Sequence, residues 1–231
     1  MAKVTSQGTC QLCQGTFSKA AMSRHLAKCL QSHPAAEPAS GKAKKTRLFH
    51  VVVQGKYNPQ YWLHLEVPAT ATLQDLDAFL RHIWLECCGH LSAFTVQGTT
   101  YSTAADFEDP WGGEWDDERD MDVEVGEVLQ PGLQFSYEYD FGSTTDLTLK
   151  VVSEREAEAK KKGSIRLLAR NNPPLIPCGS CGKPATVVST EEAWDESGWL
   201  CDECAKKRGI EEELCLPVVN SPRVGVCGYT G

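Results

Sequence analysis

The stretch Tyr61-Trp62-Leu63-His64-Leu65-Glu66-Val67-Pro68, followed by Ala69-Thr70-Ala71-Thr72-Leu73-Gln74-Asp75-Leu76-Asp77-Ala78-Phe79-Leu80-Arg81-His82-Ile83-Trp84-Leu85-Glu86-Cys87, carries the pattern of the whole body. Its first half is rich in aromatic and aliphatic residues, as strands are, and Pro68 has no amide to continue a ladder. Its second half changes period. Leu73, Leu76, Phe79, Leu80, Ile83, Trp84 and Cys87 recur at three- and four-residue steps behind a Thr72/Asp75 capping pair. That stripe predicts one amphipathic helix lying on a sheet, with Asp75, Asp77, Arg81 and Glu86 turned to water. Cys87, closing the stripe, reads as a packed residue, and Cys88 as an inert neighbour.

Upstream, Leu48-Phe49-His50-Val51-Val52-Val53 is a β-branched run separated from Tyr61 by the turn residues Asn58-Pro59. Downstream, further strands are expected at 92–97, 133–140 and 144–153. A turn at Lys160-Lys161-Lys162-Gly163 leads to a return strand at 165–169. Strands outnumber helices and connections are short, which predicts an α+β body with a mostly antiparallel sheet and one main amphipathic helix.

Two cysteine constellations flank that body. Cys10-x2-Cys13-x11-His25-x3-Cys29 sets two thiols on a tight knuckle opposite His25 and Cys29, one helical turn apart, so that four donors can converge on zinc. Phe17 and Met22 lie between them to cover the ion. Cys178-x2-Cys181-x19-Cys201-x2-Cys204 pairs two knuckles in the spacing of a zinc ribbon. Short strands are expected at 186–189 and 198–200. A redox CxxC stands alone at a helix start, whereas here there are two. Both sites draw all four ligands from the chain, so two structural zinc ions are expected, with no open position for a catalytic water. Cys215 and Cys227 flank an apolar tail expected to pack on the ribbon or on a partner. Two thiols alone do not make a metal site.

The first constellation, with Phe17, is similar to two-Cys, His, Cys zinc fingers. This finger is expected to span 1–30, a flexible basic linker rich in Pro, Ala and Lys 31–46, the α+β body 47–170, and the ribbon with its tail 171–231. The net charge of −8 conceals a division: residues 1–47 carry +7, 48–155 carry −14 and 156–231 carry −1. Eleven carboxylates fall between Asp106 and Glu127, around Trp111 and Trp115; they read as a solvated loop, without the regular spacing of a calcium loop. Nucleic acid could approach only through the basic head, with Lys19, Arg24, Lys28, Lys42, Lys44 and Lys45 as its candidate phosphate contacts, or through Lys206-Lys207-Arg208. No apolar run approaches the roughly 18 residues of a membrane span. The start shows no secretory pattern, and eleven cysteines favour metal over disulfides, so a cytoplasmic location is expected.

The body resembles the plasmid pRiA4b ORF-3-like family. The resemblance rests on Leu63-His64-Leu65-Glu66-Val67-Pro68, the helix from Thr72, His90-Leu91-Ser92-Ala93-Phe94, and above all Phe135-Ser136-Tyr137-Glu138-Tyr139-Asp140-Phe141-Gly142. It covers roughly 47–155 and implies the α+β domain and an association with mobile elements. The family usually continues Asp-Phe-Gly-Asp-x-Trp-x-His, where this chain has Ser143-Thr144-Thr145-Asp146-Leu147, and its second His after His90-Leu91 is here Ser92. Asp140-Phe141-Gly142 is no kinase motif, because no glycine-rich loop, strand lysine or catalytic loop accompanies it.

With no nucleophile elbow, phosphate loop or dinucleotide fingerprint, the chain reads as a non-enzymatic zinc-binding adaptor with a protein partner. Nucleic-acid binding through the basic head is the alternative. An enzyme with a site near His90 and Asp140 is the second.

Overall fold

Antiparallel pairing builds the core of this molecule, described by a computed structural model over residues 6–33, 45–103, 118–158, 164–193 and 195–231. The chain opens with β1 (Gln7–Cys10), β2 (Thr16–Ser18) and helix α1 (Lys19–Ser32). It continues through β3 (Lys45–Gly55), β4 (Trp62–Pro68) and α2 (Leu73–Leu80), which runs into a π-helical turn at Arg81–Leu85. Next come β5 (Ser92–Val96), β6 (Thr99–Ser102), β7 (Glu118–Arg119), the short helix α3 (Val125–Val128), β8 (Gln134–Tyr139), β9 (Thr145–Glu158) and β10 (Arg166–Asn171). The C-terminal part holds β11 (Val187–Ser189), β12 (Trp199–Leu200), α4 (Asp202–Arg208) and β13 (Cys215–Pro217).

Ten strands share one sheet in the order β2-β1-β10-β4-β3-β9-β8-β5-β6-β7, antiparallel except for the β6–β7 pair. The body is therefore the mixed α+β domain with a mostly antiparallel sheet that the hydrophobic pattern predicts. The finger's β1 hydrogen-bonds to β10 from Gly8 opposite Asn171 to Cys10 opposite Ala169, so the finger's strands extend the central sheet. The second sheet, β12-β11-β13, takes its third strand from the apolar tail. The expected linker residues 34–44 lie outside the described residues, as do 104–117 of the acidic segment. At the C-terminal end of that segment Asp120, Asp122 and Glu127 are exposed, as a solvated stretch requires, while Met121 and Val125 between them anchor it in the core.

β4 is buried along its whole length because both faces are covered. Leu63, Leu65 and Val67 join the core beneath α2, with Phe49, Val51 and Val53 from β3. Trp62 points the other way, into a second cluster with Met22, Leu26 and Leu30 of α1. Gly8 permits that contact: a Cβ there would fall 2.4 Å from both the Trp62 ring and the Arg170 carbonyl oxygen. Trp62 Nε1 donates to Ser6 Oγ at 2.7 Å, so the indole's polar end is satisfied where its ring is buried.

α2 starts as its capping pair requires. Asp75 N donates to Thr72 Oγ1 at 3.1 Å, and Thr72 N donates to Asp75 Oδ2 at 3.0 Å. Two features depart from the expected helix. Asp77, expected to face water, is 2% exposed. It is tolerated there because Ser92 Oγ (2.6 Å), Tyr137 Oη (2.7 Å) and Arg81 Nε (2.7 Å) all donate to it. The expected α-helix to Cys87 instead widens after Leu80, with Glu86 N donating to Arg81 O at 2.9 Å across five residues. Trp84 and Leu85 are both fully buried in this wider turn, and Arg81 stays with Asp77.

Candidate metal centres

Three groups of side chains bring four ligand atoms each within 4.8 Å of one another: Cys10, Cys13, His25, Cys29; Cys178, Cys181, Cys201, Cys204; and Cys87, Cys88, His90, Cys227. Each group could hold a metal ion. A tetrahedron with metal–sulfur bonds of about 2.3 Å has sulfur–sulfur edges of roughly 3.7 Å, slightly shorter to nitrogen. The finger has Cys10 Sγ to Cys29 Sγ at 3.9 Å and Cys13 Sγ to His25 Nε2 at 3.4 Å. The ribbon has Cys181 Sγ to Cys201 Sγ at 3.7 Å. Both donor sets fit one zinc-sized ion.

The two knuckles are the same turn built twice. Gln14 N donates to Cys10 O (2.9 Å) and Cys10 N to Gly15 O (2.9 Å); Gly182 N donates to Cys178 O (2.8 Å) and Cys178 N to Lys183 O (2.6 Å). The residue after the second cysteine is left-handed in both, Gly182 at φ +74° and Gln14 at φ +61°. In the finger, Phe17 stacks on His25 with ring centroids 3.8 Å apart, and Met22 is fully buried beneath the donors. In the ribbon, Cys201 caps α4 and Cys204 lies in its first turn. Close crossing forces Gly179, where a Cβ would lie 2.4 Å from the Glu196 carbonyl oxygen.

Crowding of thiols shapes their acidity. Burial opposes ionisation of Cys178, yet the backbone hydrogen bonds of Cys201, Ser180 and Cys181 outweigh it and bring the thiol to about 6. Its neighbour Cys204 is pushed up to about 12 by hydrogen bonds to Cys181 and Cys201, with burial adding. Burial, then the Cys13 and Cys10 thiols, push Cys29 to about 12. A cation among the sulfurs would favour the thiolate form of Cys29 and Cys204 that these surroundings oppose.

The third group joins two distant pieces of chain. Cys87, Cys88 and His90 come just after the π-turn, and Cys227 comes from the tail. Cys88 Sγ lies 2.9 Å from His90 Nε2, 3.5 Å from Cys87 Sγ and 3.9 Å from Cys227 Sγ, while His90 Nε2 lies 3.2 Å from Cys227 Sγ. Cys87 is thus both packed against the core and a potential ligand. Cys88 is a potential ligand rather than an inert neighbour, and Cys227 lies in this group without Cys215. A Cys-Cys-x-His run at a helix end was the available signal. Its partner, Cys227, lies 137 residues beyond His90, where no spacing rule reaches.

A buried ion pair backs this group. Arg223, with no exposed surface, donates from Nη2 to Asp140 Oδ2 at 2.6 Å and to Cys87 Sγ at 3.4 Å, and from Nη1 to Thr145 Oγ1 and Ser143 O. Burial opposes ionisation of Cys87, but Arg223 holds its thiol below the usual value. Tyr139 lies between Arg81 and Arg223, each guanidinium 4.8 Å from its ring centroid. His90 Nε2 is 3.5 Å from Asp140 Oδ2, so the expected His90–Asp140 neighbourhood exists, with Asp140 also held by Arg223.

The basic residues divide. Lys19 is half-buried, with Nζ donating to Pro59 O at 2.9 Å and to Gln54 Oε1. Arg24 and Lys28 stand exposed four residues apart on α1, and Lys45 is exposed at the start of β3. Lys42 and Lys44 lie outside the described residues. His50 and His64, buried on the sheet face that carries Trp62, share a 2.8 Å hydrogen bond between Nε2 and Nδ1. Burial lowers them to about 4 and about 3, His64 also feeling His50 and Lys19.

The plasmid pRiA4b ORF-3-like protein family model matches residues 46–189, more than half of the 231-residue chain. The chain belongs to this family. The matched span takes in β3 through β11 with Cys87, Cys88, His90, Cys178 and Cys181. The pRiA4b ORF-3-like match does not extend to the finger, to Cys201 and Cys204, or to the tail with Cys227. A crystal structure of a protein of unknown function from Methanosarcina mazei is similar at 18% identity and a TM-score of 0.41, covering 54% of this chain and 67% of that one. A search of curated proteins finds no significant match. Among the described residues, no helix is long and apolar enough to cross a membrane.

Proposed function

We propose that this pRiA4b ORF-3-like protein is a non-enzymatic zinc-binding adaptor, in which ions at the finger and the ribbon fasten two small modules to an α+β platform that docks a protein partner. The observation that carries the reading is the donor set of those two centres. Cys10, Cys13, His25 and Cys29, and likewise Cys178, Cys181, Cys201 and Cys204, supply four protein ligands each, which fills a tetrahedral zinc and leaves no position for a reacting water. Thiolate-rich donors of this kind favour zinc over hard cations. Asp140 supports the same reading, because its pairing with Arg223 occupies the carboxylate that an acid/base partner of His90 would need free. Leu91 and Phe141, next in sequence to His90 and Asp140, are 39% and 51% exposed and give a partner an apolar foothold.

The test is partner capture with full-length, zinc-loaded protein. Leu91→Asp with Phe141→Asp is expected to abolish the captured protein while leaving metal content and circular dichroism unchanged. Undiminished capture by that variant contradicts the docking face.

Nucleic-acid binding is a second reading, favoured by the exposed basic pair that Arg24 and Lys28 present on α1. Titration against duplex DNA, single-stranded DNA and RNA at two salt concentrations separates the two. Salt-sensitive binding that falls with Arg24→Glu/Lys28→Glu favours the nucleic-acid reading. No binding at low salt leaves the adaptor.

A further inference from the structure

We propose that Cys87, Cys88, His90 and Cys227 form a third metal centre, separate from finger and ribbon, which binds Zn2+ and clasps the C-terminal tail to the end of the main helix. Three sulfurs and one imidazole nitrogen are the donors a borderline-soft ion selects, and all four already lie within 4.8 Å of one another.

Four observations beyond proximity support the centre. The loop bearing Cys87, Cys88 and His90 is fixed from behind: Arg81 Nη2 donates to His90 O at 2.7 Å, and Gly89 N donates to Glu86 Oε1 at 2.6 Å. The tail is fixed just as firmly, with Ser221 Oγ donating to Trp84 O at 2.6 Å and Arg223 buried against Asp140 and Cys87. Supporting shells of this kind orient metal ligands. The backbone is strained where the donors converge: Asp140 at φ +65° and Cys227 at φ +49° are two of four non-glycine residues with positive φ among the described residues, and Gln14 of the finger knuckle is a third. Finally, the π-turn ends two residues before Cys87, an irregularity that recurs at functional sites.

A redox pair is the rival use of these thiols. A Cys88–Cys227 disulfide needs nothing between its sulfurs, yet His90 Nε2 sits within 2.9 and 3.2 Å of the two. An imidazole placed among three thiols is a ligand's position. Cys88 and Cys227 are exposed, whereas three of the four ribbon donors are buried, so the third ion exchanges first.

The experiment is a metal count on full-length protein purified with zinc, by elemental mass spectrometry, with release followed during addition of a chelator. Wild type is expected to hold three equivalents per chain, one leaving ahead of the other two. Cys227→Ser is expected to hold two and to lack the early equivalent, with an unchanged far-ultraviolet spectrum; Cys215→Ser keeps three. Should Cys227→Ser fold poorly, Cys88→Ser gives the same count. Cobalt-loaded Cys227→Ser or Cys88→Ser is expected to show about a third less thiolate-to-metal absorption than cobalt-loaded wild type. Two equivalents in wild type, three in Cys227→Ser, or a Cys88–Cys227 disulfide in the freshly purified metal-loaded protein overturns the proposal.

Discussion

Gln14 and Gly182 occupy the same place in the two knuckles, and only one of them is suited to it. A left-handed backbone costs a residue with a Cβ roughly 1 kcal/mol, so Gln14→Gly is expected to stabilise the finger by up to about that amount. Slower amide exchange across β1 and α1 checks it; faster exchange would mean that the Gln14 side chain, which donates to Gln11 O at 3.2 Å, matters more than the strain. At the same scale, His50 and His64 set an acid limit. Their folded values of about 4 and about 3 lie below the ordinary histidine value, so the unfolded chain takes up protons that the fold refuses. Their stabilising contribution is complete above about pH 6.5 and is lost as pH falls from there towards 4, by up to about 1.4 kcal/mol per pH unit for each ring. Denaturant midpoints between pH 7 and 4.5 measure this, and His50→Leu/His64→Leu should flatten the profile. The grouping of Cys10, Cys13, His25 and Cys29, and of Cys178, Cys181, Cys201 and Cys204, was legible because their spacing is local. The third group was not, since Cys227 gains meaning only beside residues more than a hundred positions earlier.

Among elements, the main helix was legible at its start and not at its end. Thr72 and Asp75 announce the cap by their spacing, and the structure has both hydrogen bonds. Three- and four-residue steps do not distinguish an α-turn from a π-turn, so the widening after Leu80 left no mark on the apolar stripe. Nor does periodicity reveal that Asp77 is buried, because its donors Ser92 and Tyr137 come from β5 and β8. Arg81→Met leaves that carboxylate without its cation and is expected to cost about 3 kcal/mol in urea denaturation. It also frees the loop that carries His90, since Arg81 holds His90 O. A cost under about 0.5 kcal/mol, the range of neutral surface changes, would show that the two hydroxyls suffice. Trp62 is the corresponding joint between body and finger. Trp62→Ala is expected to cost about 3–5 kcal/mol and to speed zinc loss from the finger, which stopped-flow chelation would detect.

Across the entire chain, fold class and the positions of β3, β4, β5 and β8 to β12 were legible in the sequence, whereas the short strands β1, β2, β6, β7 and β13, and the strand order, were not. Hydrophobic alternation marks a strand without naming its neighbour, and β1 finds β10 more than 150 residues later. The tail is too apolar to hang free, and it supplies both the third ribbon strand and the Arg223 that sits beside the third group. In the proposed arrangement, metal ions hold the finger and ribbon to a sheet that folds by hydrophobic burial alone. Hydrogen exchange on zinc-loaded, full-length protein, before and after chelation, tests that division of labour at every amide. Protection should be lost across 6–33 and 177–217, while β3, β4, β8 and β9 retain theirs. Unchanged exchange in the finger and ribbon, or loss of protection throughout the central strands, would contradict it.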